Sequence, residues 1–153
     1  MKKILNYLEA GWALILKTSK IKIKKQFGLP IKPIFINFLV TYKCDSRCTM
    51  CHIWRKYKDN PQLKEEELTT IEIETFLKTN RDYLVDVKHI GITGGEPLMR
   101  KDLIKVIKNF RKYLPQAATG FQTNGLSPEK VGKVYREVKK FYPGVNVSVS
   151  LDG

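Results

Sequence analysis

The sequence predicts an α/β fold built on a parallel sheet. Short apolar runs rich in β-forming residues alternate with longer segments whose apolar residues recur at helical spacing. Each predicted strand also ends in a sequence rich in cysteine, glycine or small polar residues. Alternating β and α segments give parallel strands, and the carboxyl ends of such strands meet at one edge. We therefore expect these special sequences to share one rim of a single domain, for which 153 residues are sufficient.

The first strand and helix are predicted by composition and by a cap. Residues 34–40 form an almost continuous apolar run, as expected for a strand buried on both faces. Residues 55–68 are polar and charged, which indicates a long surface connection. Thr69 and Glu72 then form a capping box. The helix that follows has a predicted apolar face of Ile73, Phe76 and Leu77.

The second strand and helix follow the same pattern. Residues 87–93 read as a strand that leads directly into Gly94-Gly95-Glu96-Pro97. Four apolar residues at helical spacing predict the inner face of the second helix: Leu103, Ile107, Phe110 and Leu114.

The third strand, third helix and fourth strand complete the predicted order. Residues 118–122 form a strand that ends in Thr123-Asn124-Gly125. Ser127 as N-cap and Pro128 at the first helical position begin the third helix. Its predicted inner face is Val131, Val134, Tyr135 and Val138. Residues 145–150 form a fourth strand that leads into Leu151-Asp152-Gly153.

All three cysteines of the chain lie in one short segment after the first strand. Cys44, Cys48 and Cys51 have the spacing C-x-x-x-C-x-x-C, which lets one loop surround a single inorganic centre. Cubane iron–sulfur clusters are held by cysteine thiolates, usually four. Three thiolates leave one iron without a protein ligand, and an open position on a metal is where a small molecule can bind and react.

Other uses of the cysteines remain open. A structural zinc site needs a fourth ligand, and the only histidines are His52, directly after Cys51, and His89, within a predicted strand. Disulfides are disfavoured because the number of cysteines is odd and no signal peptide precedes them.

The chain resembles the radical S-adenosylmethionine (SAM) enzymes over residues 34–153, through Cys44, Cys48 and Cys51 in this spacing and through Gly94-Gly95-Glu96-Pro97. The resemblance implies a partial (β/α)6 TIM barrel. It also implies a [4Fe–4S] cluster on the three thiolates, with SAM bound at the fourth iron. One electron would then cleave SAM to a 5′-deoxyadenosyl radical, which abstracts hydrogen from an unidentified substrate. A reductant such as flavodoxin is implied as a partner.

The resemblance also implies which residues contact SAM. Gly94, Gly95, Glu96 and Pro97 would hold its amino group, although a plain strand-to-helix turn is the alternative. Ser150 and Asp152 would contact its ribose or carboxylate, with Asn124 and Gln122 as further candidates. Met50 stands where the family often has an aromatic residue close to the adenine. Its polarizable sulfur can also pack against a base.

The predicted domains are a basic arm, residues 1–33, and a partial radical SAM core, residues 34–153. Because the chain stops after the fourth predicted strand, we expect a truncated core, which resembles the branch of the molybdenum-cofactor cyclase and of enzymes with a cysteine-rich (SPASM-type) extension. An inactive fragment is the alternative.

The charge of the chain is uneven. Residues 1–33 contain eight lysines and one glutamate, and residues 100–140 contain eleven Lys or Arg and three acids, within a net charge of +13. The apolar run of the arm is far shorter than the roughly 20 residues that span a bilayer. A cytoplasmic protein is expected, with residues 1–25 either packed on the domain or in contact with a membrane surface or a partner. A metal-bearing module that binds RNA or another polyanion is a further alternative, but no nucleic-acid signature supports it.

Overall fold

The computed structural model describes Leu16, Thr18, Ser19 and residues 21–151. The chain divides into two compact units, Met1–Lys32 and Pro33–Gly153. In the first unit residues 21–26 are helical, and most of the predicted arm lies outside the described residues. Within the described part of the chain, no helix combines the length and the apolar character needed to cross a membrane.

The second unit contains a four-stranded parallel sheet in the order β1-β2-β3-β4. The strands are β1 (Phe35–Leu39), β2 (His89–Thr93), β3 (Ala118–Thr123) and β4 (Asn146–Val149). Each strand pairs with its neighbour in sequence, and a helix lies between successive strands. The predicted α/β fold with parallel strands is confirmed.

Within its described residues, the second unit has three long helices, α1 (Thr70–Thr79), α2 (Leu103–Tyr113) and α3 (Pro128–Phe141). Helix α1 begins at the predicted capping box: the Thr69 hydroxyl accepts from the backbone N–H of Glu72, and the Glu72 carboxylate accepts from the N–H of Thr69 at 2.7 Å. Pro128 occupies the first position of α3 as predicted.

The predicted N-cap of α3 is confirmed in position. Ser127 holds it, and its carbonyl accepts from Val131 N at 3.0 Å, but within the described residues its hydroxyl makes no capping hydrogen bond. The backbone of Ser127, at φ −125° and ψ 73°, departs from the extended conformation that aims an N-cap oxygen at the first turn.

The hydrophobic core lies between one face of the sheet and the helices. Alternate strand residues, such as Ile90 and Ile92, point into it and are nearly inaccessible. Phe110 of α2 is the largest fully buried side chain and packs edge to face on Phe38, with ring centroids 5.3 Å apart. Burial of such a side chain contributes about 1.5–3 kcal/mol. All four predicted core positions of α2 are buried.

Two predictions of burial are wrong. Strand β1 is not buried on both faces, since Phe35 and Leu39 are 58% and 41% exposed. The core helices cover one face of the sheet, and these two side chains alternate onto the other. Phe76 is 51% exposed because Ile73 and Leu77, one turn apart, form the buried row of α1.

The predicted surface connection contains local structure that composition did not reveal. Three short helical turns follow one another: Ile53–Arg55, Lys56–Asp59 and Pro61–Lys64. The last of them begins at Asn60, whose side chain accepts from Gln62 N, with Pro61 in the first turn. These turns carry the chain from the cysteine loop to α1.

Candidate functional site

The loops that follow the four strands lie along one edge of the sheet. Leu39 is the register partner of Thr93, and Thr123 is the register partner of Val149, so the strands end side by side. The cysteine loop, the Gly-Gly-Glu-Pro loop, the Thr-Asn-Gly turn and Ser150 therefore share a rim, as the sequence predicted. Asp152 lies outside the described residues.

The three cysteines line a single cavity of about 180 Å³ at this rim. Cys44 and Cys48 are partly buried, Cys51 is exposed, and the chain forms no disulfide among them. The backbone N–H of Cys51 donates to the Cys48 carbonyl at 3.3 Å, which makes a tight turn between these two ligand candidates. The loop thus brings its three cysteines to one space.

The Gly-Gly-Glu-Pro loop lies directly on the backbone that leads into the cysteine loop. Gly95 N–H donates to the Thr41 carbonyl and Glu96 N–H to the Lys43 carbonyl, both at 2.7 Å. A Cβ added at Gly95 would lie 2.2 Å from the Lys43 carbonyl oxygen, and one added at Gly94 would lie 2.4 Å from that of Thr41. Only glycine permits this approach.

Gly94 and Gly95 also line the cysteine cavity. The Gly95 N–H is bonded to the Thr41 carbonyl, and among the described residues no backbone N–H donates to the carbonyl of either glycine. Carbonyl oxygens that are free of partners at the wall of a cavity can accept from a ligand N–H group. The two glycines therefore offer acceptors beside the three thiols.

Glu96 has a different environment from its two neighbours. Its side chain is 2% exposed and accepts from Leu98 N at 3.0 Å, Thr123 Oγ1 at 2.9 Å and Asn124 N at 2.7 Å. Pro97 is buried as well, and neither residue is part of the cavity wall. The carboxylate joins the Gly-Gly-Glu-Pro loop to the end of β3.

Three further candidates lie on the cavity wall: Gln122, Asn124 and Ser150. Gln122 Nε2 donates to Ser150 Oγ at 3.0 Å, which joins the ends of β3 and β4. Asn124 Nδ2 donates to Asp45 Oδ1 at 2.7 Å and to Ser46 Oγ at 2.8 Å, both between the first two cysteines. Side chains from three rim loops are thereby connected around one space.

Met50 does not share this environment. Its side chain is 83% exposed and is absent from the residues that line the cavity. Trp54 stacks against the guanidinium groups of Arg47 and Arg55, at 5.7 and 4.7 Å from the ring centroid. Its indole N–H is buried with no acceptor among the described residues.

The three cysteines are compatible with a polynuclear cluster, since all of them line one cavity. Across the described residues, no group of three His, Cys, Asp or Glu side chains is arranged to hold a single metal ion. In a cubane cluster each thiolate binds a different iron. Burial raises the pKa of the Cys44 thiol above its ordinary 9.0, so iron would have to displace its proton.

A zinc site with histidine is disfavoured by position. His89 is the first residue of β2, so it lies at the opposite end of the strand from the rim, about 13 Å away for four residue steps. His52 is exposed and is absent from the cavity wall. Neither histidine supplies the fourth ligand that a closed zinc site requires.

Several residues of this region carry no functional signal in the sequence. Ser46, Ile53, Thr93 and Thr123 line the cavity, and in the sequence they look like ordinary strand and loop residues. Arg100 donates to the carbonyls of Val40 and Leu68, each at 2.7 Å, and pairs with Asp102 at 2.7 Å. It fixes the chain just before the cysteine loop, and no local pattern marks it for this role.

Comparison with known proteins agrees with the fold and the site. A model of the radical SAM superfamily matches residues 38–153. A GTP 3′,8-cyclase of Staphylococcus carnosus is 34% identical over 134 residues, which cover 86% of this chain and 37% of that protein. A "Probable GTP 3′,8-cyclase" of Methanocaldococcus jannaschii is 33% identical over 131 residues, 85% of this chain and 39% of that protein.

Among solved structures, BtrN in an open conformation superposes with a TM-score of 0.51 at 19% identity, over 78% of this chain and 57% of that one. This likeness supports a sheet that is part of an open barrel. Fold and rim together define a parallel α/β domain with a three-cysteine site.

The chain belongs to the radical SAM superfamily. Members of this superfamily are enzymes that use a [4Fe–4S] cluster and SAM. The chain spans less than two-fifths of the length of the curated relatives described above, at 37% and 39%.

Proposed function

We propose that this chain forms the cluster-binding part of a radical SAM enzyme, with Cys44, Cys48 and Cys51 as the ligands of a [4Fe–4S] cluster. The observation that supports this most directly is that the three thiols and the Gly94-Gly95 backbone line the same cavity. When bound, the cluster and SAM would supply one-electron cleavage of SAM and a 5′-deoxyadenosyl radical. The residues of the chain would orient SAM and shield it from water.

The roles of the SAM contacts follow from their positions. The carbonyls of Gly94 and Gly95 would accept from the SAM ammonium group, while Gln122 and Ser150 would offer an amide and a hydroxyl to its ribose or carboxylate. Glu96 would act indirectly by holding the Gly-Gly-Glu-Pro loop in place, since its carboxylate accepts three hydrogen bonds. Direct contacts of Met50, Pro97 and Asp152 with SAM stay predictions.

The substrate would lie on the open face of the sheet. A second cavity of about 330 Å³ lies there, and it shares Thr93 and Gln122 with the cysteine cavity. A radical formed at SAM would therefore face a substrate across these two side chains. The relatives are named GTP 3′,8-cyclases, which makes GTP the first substrate to test.

Three wider predictions accompany this proposal. One-electron chemistry requires a reductant, for which a flavodoxin-like protein is the predicted donor. Residues 1–25 are predicted either to pack on the domain or to contact a membrane surface or a partner, and most of them lie outside the described residues. A cytoplasmic location is likewise a prediction.

Replacement of one ligand tests the proposal. In Cys48→Ala, we expect iron and sulfide per chain after anaerobic reconstitution to fall sharply, and 5′-deoxyadenosine formation from SAM with dithionite to be lost with them. Thr49→Ala is the matched control, because Thr49 is exposed in the same loop and is absent from the cavity wall. Thr49→Ala protein should retain both its iron and sulfide content and its 5′-deoxyadenosine formation.

Two results would contradict the proposal. One is wild-type protein that takes up zinc but no iron–sulfur cluster, which would favour a metal-bearing binding module. The other is Cys48→Ala protein that keeps wild-type iron content and SAM cleavage, which would exclude Cys48 as a ligand.

A further inference from the structure

Asn124 contacts the cysteine loop with its side chain and the Gly-Gly-Glu-Pro loop with its backbone. Its Nδ2 group donates to Asp45 Oδ1 at 2.7 Å and to Ser46 Oγ at 2.8 Å, so both amide hydrogens are used. Its backbone N–H donates to Glu96 Oε2 at 2.7 Å. One residue at the end of β3 is thus hydrogen-bonded to two other rim loops.

The orientation of the Asn124 amide is fixed by its partners. Leu126 N–H, which can only donate, lies 3.0 Å from Asn124 Oδ1. The Asp45 carboxylate, which can only accept when ionised, faces the other side. A flipped amide would place its oxygen against the Asp45 carboxylate and its NH₂ group against Leu126 N–H. Only the observed orientation therefore satisfies both contacts.

We propose that Asn124 is the positioning residue that holds the segment between Cys44 and Cys48 in the conformation that accepts the cluster. Asp45 and Ser46 directly follow Cys44, so their two hydrogen bonds restrict the backbone that carries the first ligand. Groups that orient metal ligands without touching the metal typically change metal affinity about 10–100-fold when removed. This inference rests on the proposed function of the cysteines.

The chemistry of the contact suggests a variant and its rescue. Asn124→Asp keeps the size of the side chain and the acceptor for Leu126 N–H, but places a second carboxylate against Asp45. We expect at least about tenfold weaker retention of iron against a chelator. In the double variant Asp45→Asn/Asn124→Asp, the amide introduced at position 45 can donate to the carboxylate introduced at position 124, so iron retention should return toward wild type.

The matched control is Asn146→Asp. Asn146 is an exposed asparagine in the first position of β4, at the opposite end of the strand from the rim. It receives the same change in chemistry, and its iron retention should equal that of wild type. Thermal unfolding of all apo proteins shows whether each variant folds, so that a loss of iron is not read from unfolded protein.

A second readout needs no cluster. In apo protein, alkylation of Cys44 and Cys48, followed by mass spectrometry, should be faster in Asn124→Asp than in wild type, and slower again in the double variant. Asn124→Asp protein with wild-type alkylation rates and iron retention, or a double variant no better than the single one, would overturn the inference. Wild-type protein that binds no cluster would refute the proposed function, while the alkylation rates would still decide the role of Asn124.

Discussion

Gly95 lies at the packed junction between the Gly-Gly-Glu-Pro loop and the chain that leads into the cysteine loop. Its missing side chain lets the Gly-Gly-Glu-Pro backbone lie against Tyr42 and Lys43, directly before the first cysteine. The sequence suggested that the glycines admit a ligand. The structure adds a second reason for glycine at these two positions, since the absence of a side chain lets a neighbouring backbone approach closely.

Gly95→Ala is therefore expected to disturb the cysteine loop itself. The added Cβ would lie 2.2 Å from Lys43 O and 2.8 Å from Tyr42 O, and backbone atoms cannot move aside cheaply. We expect a loss of about 1–3 kcal/mol in the free energy of unfolding, as for other overpacked sites. Urea unfolding of the apo protein measures it.

The control substitution is expected to raise the free energy of unfolding instead of lowering it. Gly132 lies within α3, where an added Cβ would meet only the end of the Arg136 side chain at 3.2 Å. Gly132→Ala should stabilise the protein by up to about 1 kcal/mol through helix propensity. Equal stability of Gly95→Ala and wild type would show that the two loops are not packed as described.

At the residue level, motifs carried the information. The cysteine spacing and the Gly-Gly-Glu-Pro motif singled out residues that the fold brings to one cavity, while their roles stay predictions. The role of Glu96 was not visible, because its partners Thr123 and Asn124 are 27 and 28 positions away in sequence. The hydrogen bonds of Asn124 to the cysteine loop were hidden for the same reason.

At the level of elements, Arg100 and Asp102 fasten the start of α2 to the chain around the cysteine loop. Arg100 Nε donates to Asp102 Oδ1 at 2.7 Å, and its other nitrogens donate to two backbone carbonyls. The Thr70 hydroxyl also bonds to the Asp102 carboxylate. This small network joins the end of β1, the start of α1 and the start of α2.

The network predicts a pH dependence of stability. The Arg100 guanidinium lowers the pKa of Asp102 from 3.8 to about 2. Because the folded pKa is depressed, its stabilisation is complete above about pH 4 and is lost as pH falls toward 2. Asp102 is 34% exposed, so we expect about 1–2 kcal/mol after allowance for solvent screening.

Comparison of wild type with Asp102→Asn by urea unfolding measures this contribution. Wild type should be the more stable protein near neutral pH, and the difference should shrink as pH is lowered from 4 toward 2. Glu129→Gln, an exposed change in the first turn of α3, is the control for general effects of carboxylates. A difference that stays constant with pH would contradict the network.

Element-level prediction was reliable where local signals are strong. The capping box at Thr69 identified the start of α1, and the apolar spacing of α2 identified that helix and its buried face. Exposure of Phe35 and Phe76 was not predictable from the same signals, because hydrophobic periodicity does not say which face a neighbour covers. The three short turns at 53–64 lack periodicity altogether.

At the scale of the whole molecule, the parallel topology explains why the candidate site lies at one edge of the sheet. Four strands in sequential order end at one edge, so four separate sequences meet there. The cysteine cavity and the cavity on the open sheet face share Thr93 and Gln122. The proposed cofactor site and the proposed substrate surface would thereby be adjacent, as hydrogen abstraction by a short-lived radical requires.

Electron paramagnetic resonance tests the central claim most directly. Protein reconstituted anaerobically with iron and sulfide, and then reduced, would be recorded with and without SAM. The account predicts a [4Fe–4S]⁺ signal that shifts when SAM is added, because SAM would bind the iron that Cys44, Cys48 and Cys51 leave open. A protein that contains zinc and no cluster, or a cluster signal that SAM does not change, would contradict it.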